Sequence, residues 1–80
     1  SNTNKGKTKF ICCVAGHGIF HVFAGDTTSA RDRMIKRTYG PSATCTFSTR
    51  ERGGLEVSYW QRGKLRGDLL RASDWQMIPA

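Results

Sequence analysis

Only one stretch of this chain repeats its apolar residues at helical spacing. Ala30, Met34, Ile35 and Tyr39 fall on one side of a helix at roughly 100° per residue. Gly25-Asp26-Thr27-Thr28 ahead of them supplies N-cap candidates, and Gly40-Pro41 behind them supplies the stop. On both sides the apolar residues follow strand patterns. A lone helix has no helical partner for its apolar stripe, so it must cover a sheet, and the fold class expected is α+β.

The strands read as follows. Residues 10–15 form a short apolar run, Gly16-His17-Gly18 is a tight turn, and residues 19–24 return as the hairpin partner. After the helix, Ala43, Cys45 and Phe47 alternate with Thr44, Thr46 and Ser48, and Gly53-Gly54 makes a turn. Leu55, Val57 and Tyr59 then alternate with Glu56, Ser58 and Trp60, and Arg62-Gly63-Lys64 turns the chain into a fifth strand. The expectation is a single antiparallel sheet of about five strands in the order β-β-α-β-β-β, with one helix packed on one face. Its open face would carry Thr44, Thr46, Ser48, Glu56, Ser58 and Trp60. Residues 1–8 are polar and basic with nothing to bury, and read as a flexible arm ahead of one α+β domain over residues 9–80.

Thirteen Lys and Arg stand against six Asp and Glu, leaving a net charge of +7 on 80 residues. So strong a positive field favours phosphate-rich or carboxylate-rich partners, either nucleic acid or an acidic protein surface. The densest constellation is Arg50, Arg52, Arg62, Lys64, Arg66 and Arg71, interleaved with Tyr59 and Trp60. Arginine forks match phosphate oxygens, and an exposed tryptophan offers a flat face to an unpaired base. Against this stands the plain reading that these cations solvate turns and guard sheet edges. Lys5, Lys7 and Lys9 with Arg33, Lys36 and Arg37 form a second basic group. This group either forms a second nucleic-acid-binding surface or extends the first, for non-specific polyanion contact; on the helical wheel Arg33, Lys36 and Arg37 point away from the apolar stripe, whereas Arg31 lies within it, and the plainer reading is a solvated helix face.

Other chemistry finds little footing. Cys12, Cys13 and Cys45 are odd in number, and two of them are adjacent, which is a poor disulfide framework and fits reduced thiols in the cytoplasm. Adjacent strand residues point to opposite faces, and the His17/His21 spacing crosses a turn, so no metal site and no cofactor are expected. The longest apolar run is far below the roughly 20 residues of a membrane span, and the start lacks a signal-type apolar segment. His17, His21, Asp26, Glu51 and Asp74 form no catalytic signature, so no enzyme is expected. Three readings follow. The first is a nucleic-acid-binding module with little sequence readout. The second is a protein-binding inhibitor or adaptor of the phage or mobile-element kind, acting on host nucleic-acid machinery. The third is a small toxin-like ribonuclease built on His17 or His21. A homodimer through an open sheet edge is a further expectation.

Overall fold

The computed structural model describes residues 6–48 and 54–80 of the chain, with the side chains of 46–48 outside that set. Strand β1 (Thr8–Val14) places Phe10, Cys12 and Val14 inward and Lys9, Ile11 and Cys13 outward. It turns through Gly16 and Gly18, whose φ angles of 80° and 73° suit glycine, into β2 (Gly18–Ala24). The two strands pair antiparallel from Thr8 opposite Ala24 to Val14 opposite Gly18, as the expected hairpin.

Helix α1 (Thr27–Tyr39) starts where Asp26 caps it, its Oδ1 accepting the Ser29 N–H at 2.7 Å. It stops at Gly40, whose φ of 110° departs from the helix while its N–H still donates to the Lys36 carbonyl at 2.9 Å. Ala30, Met34 and Ile35 are fully buried. Strands β3 (Thr44–Ser48), β4 (Leu55–Gln61) and β5 (Lys64–Leu70) follow, then a 3-10 turn (Ala72–Asp74) and β6 (Trp75–Pro79).

The expected single sheet is replaced by two antiparallel sheets of three strands, in the orders β2-β1-β6 and β3-β4-β5. The fold remains α+β. The difference arises from β6, a sixth strand that returns to pair with β1, Phe10 opposite Pro79 through Val14 opposite Trp75. β6 takes the second side of β1, and the β3-β4-β5 strands pair only among themselves. The inner faces of both sheets and the apolar side of α1 share one core of Phe10, Cys12, Val14, Val22, Ala24, Ala30, Met34, Ile35, Ala43, Leu55, Val57 and Leu70. Trp75 and Met77 of β6 pack against it, half-buried.

Along β3 the alternation is interrupted by a bulge: Cys45 stands opposite Val57, yet Phe47 stands opposite Glu56. No helix among the described residues is long and apolar enough to cross a membrane.

Candidate functional site

The β4–β5 hairpin is closed by two residues, Arg62 and Gly63, both at positive φ (53° and 75°) between the paired Gln61 and Lys64. That is the signature of a type I′ turn, which suits the right-handed twist of the flanking strands and normally takes Asn or Gly at its first position. An L-residue with a Cβ there costs about 1 kcal/mol. Arg62 is the one described non-glycine residue with positive φ.

Trp60, two residues before the turn, is 58% exposed, and its cross-strand partner Leu65 is 62% exposed. Strand parity sets Leu69 and its partner Glu56 on the same face, with Ser58 and Gly67 between. The same parity separates what the sequence interleaves. Lys64 and Arg66 pair with Gln61 and Tyr59, so they leave β5 on the face opposite Trp60. Since β5 is an edge strand, its long cations flank the tip of the hairpin and do not share the tryptophan's face. Among the described residues the side chains of Arg62, Lys64 and Arg66 are all exposed and take part in no ion pair or hydrogen bond; the one ion pair is Lys36 with Asp32.

Tyr59 faces inward, half-buried, and its ring lies 4.9 Å from that of Tyr39 at the end of α1. The Tyr39 hydroxyl donates to Asp68 Oδ2 at 3.0 Å, and the ring of His17 lies 6.4 Å beyond. Burial, reinforced by the hydrogen bond to Asp68, pushes the Tyr39 phenol up to about 12. The phenol is therefore held neutral and donates. Sequence reasoning counted Tyr39 as helix core and passed over Asp68. An acid within a strand otherwise rich in cations was the available signal.

Arg33 and Arg37 are exposed, as a solvated helix face requires, and Lys36 is half-buried, but all three also make contacts that the helical wheel does not predict. The Arg33 guanidinium donates to the Phe23 carbonyl at 2.6 Å, and that of Arg37 lies 5.2 Å from the Phe20 ring centroid. Lys36 Nζ donates to Asp32 at 2.9 Å and to the Ala43 carbonyl at 2.8 Å. The reason is reach: residues on the flank of the apolar stripe carry stems long enough to fold back onto β2 and the start of β3. Together with His21, Val22, Phe23 and Pro41 they line a groove of about 540 Å³.

Of the remaining expected residues, Lys7 and Lys9 are exposed on or beside β1, and Arg71 is exposed where its backbone N–H donates to Asp74 at 3.2 Å. Lys5, Arg50 and Arg52, and the expected turn at Gly53, lie outside the described residues. Cys12 is buried and Cys13 exposed on opposite faces of β1, and none of the three cysteines is in a disulfide. Burial pushes the Cys12 thiol up, against a smaller opposing pull from Arg37. His21 packs edge-to-face on Phe23, its ring 5.8 Å away, and so has different neighbours from His17. Among the described residues no three His, Cys, Asp or Glu side chains come together as a metal-binding group. Comparison with protein-family models, curated proteins and solved structures finds no match.

Proposed function

We propose that the chain binds unpaired nucleic acid at the β4–β5 hairpin, stacking a base on Trp60 and holding flanking phosphates with Arg62, Lys64 and Arg66. The carrying observation is the hairpin tip itself. An arginine occupies a backbone position that a smaller residue fills at lower cost, its side chain has no partner within the described residues, and it sits two positions from a tryptophan that is 58% exposed. Backbone strain of this kind is retained where the side chain serves something outside the fold. The net charge of +7 supplies the long-range attraction.

Titration of a short single-stranded oligonucleotide tests this. Affinity is expected to fall steeply between low and physiological salt, as counterion release requires. Trp60→Ala weakens it by about 1–3 kcal/mol, the worth of one stacked base. Arg62→Asn separates function from fold: it raises stability by about 0.5–1 kcal/mol by relieving the turn, while weakening binding. Absence of binding at low salt, or binding indifferent to salt, removes the proposal.

A further inference from the structure

We infer that the groove between the free edge of β2 and α1 takes an extended acidic peptide, which adds to the β2-β1-β6 sheet as a fourth strand. β2 is an edge: its other side pairs only with β1. The Phe23 carbonyl points into the groove, since Arg33 reaches it at 2.6 Å. In an antiparallel strand a residue's N–H and C=O lie on one side and alternate along the chain. The backbone groups of His21 and Ile19 therefore face the same way as those of Phe23.

Sheet edges are ordinarily blunted by proline, lysine or a bulge. β2 reads Gly-Ile-Phe-His-Val-Phe-Ala and carries none of these. Among the described residues one side chain, that of Arg33, caps this edge, and only at its Phe23 end. A segment of chain laid along Ile19 to Phe23 would meet alternating donors and acceptors on one wall.

The opposite wall chooses the charge. Arg33 and Arg37 follow the edge, at Phe23 and Phe20 respectively, and neither has a carboxylate among the described residues. Arg33 commits one guanidinium N–H to Phe23, and Arg37 meets Phe20 through its cationic face, so both keep donors for carboxylates. A second copy of this chain would bring four such arginines together and is repelled. A nucleic acid has phosphates for the arginines but no amide ladder for the edge.

The test uses a fluorescent peptide of about eight residues alternating Glu and Val, a length and pattern suited to an added strand. It is expected to bind at low salt and to slow amide hydrogen exchange at Ile19 and His21. N-methylation of alternate peptide amides on the strand-pairing side weakens it by about tenfold or more, because the ladder bonds cannot form. A Lys/Val peptide does not bind. Arg33→Glu with Arg37→Glu weakens the Glu/Val peptide similarly, and the N-methylated peptide makes the same point with the protein unaltered. Trp60→Ala leaves peptide binding unchanged, which keeps this inference separate from the hairpin reading. Equal binding of the N-methylated or Lys/Val peptide, or unprotected Ile19 and His21 amides, overturns it. A short oligothymidylate that protects those amides instead reassigns the groove to nucleic acid.

Discussion

The helix flank and the β4–β5 hairpin each present three cations within a short stretch of chain, and they use them oppositely. On the helix, Arg33, Lys36 and Arg37 all fold back, one onto the Phe23 carbonyl, one onto the Ala43 carbonyl and Asp32, one over the Phe20 ring. On the hairpin, the side chains of Arg62, Lys64 and Arg66 touch no partner among the described residues. The helix cations tie α1 to its neighbours, while the hairpin cations are held out by a short turn that one of them strains. Charge density in a sequence therefore does not show which cations also tie down the fold; their reach to nearby carbonyls and rings does.

The sharpest way to break this distinction is to delete each set and measure nucleic-acid binding against salt. Arg62→Ser, Lys64→Ser and Arg66→Ser together are expected to flatten the slope of log affinity against log salt by about 2, at about 0.7 for each single-strand phosphate no longer neutralised. Arg33→Ser with Arg37→Ser should leave the slope nearly as it was. Equal flattening by both sets means that binding follows net charge alone, and the hairpin has no special standing.

A smaller effect is expected in stability, and in the opposite place. Lys36→Met removes the hydrogen bonds to Ala43 and Asp32 at a partly exposed site, and denaturant unfolding should show a cost of about 1 kcal/mol. Lys64→Met, on an exposed strand position without side-chain partners, should stay within about 0.5 kcal/mol of the parent. A larger destabilisation at Lys64 than at Lys36 reverses the assignment of roles.

Much of this fold is written locally. The caps at Asp26 and Gly40 bound the helix, and the glycine turn at Gly16 to Gly18 bounds the first hairpin, because capping and positive φ are properties of a few adjacent residues. The division into two sheets is not local. β6 is five residues long and ends in proline, its outward side bears Ile78 beside Gln76, and its partner β1 lies at the far end of the chain. Its inward Trp75 and Met77 do alternate, so the strand was readable even though its pairing was not.

The candidate site divides in the same way. The exposure of Trp60 follows from the alternation of β4, and the structure agrees. That Lys64 and Arg66 leave on the other face depends on a two-residue loop pairing Gln61 with Lys64, a register the spacing alone did not establish. The folding back of Arg33, Lys36 and Arg37 depends on carbonyls of β2 and of the approach to β3, which no helical wheel contains.

Tyr39 links the two regions, since it ends the helix yet stacks on Tyr59 of β4 and donates to Asp68 of β5. Tyr39→Phe keeps the ring and removes the hydroxyl, for an expected cost of about 1 kcal/mol near neutral pH. The pH dependence reports the phenol's burial first and the Asp68 bond second. Its pKa is raised in the folded chain from 10.0 to about 12, so folding favours the neutral phenol. The contribution is complete below pH 10 and is lost as pH rises from about 10 through about 12, where the folded chain must also give up the proton. The Cys12 thiol, also raised by burial, titrates in both proteins and cancels from their difference. The stability gap between parent and Tyr39→Phe should therefore narrow across that alkaline window. A gap that stays constant through it means that Tyr39 holds the hairpin by ring packing alone, with Asp68 contributing nothing to the link.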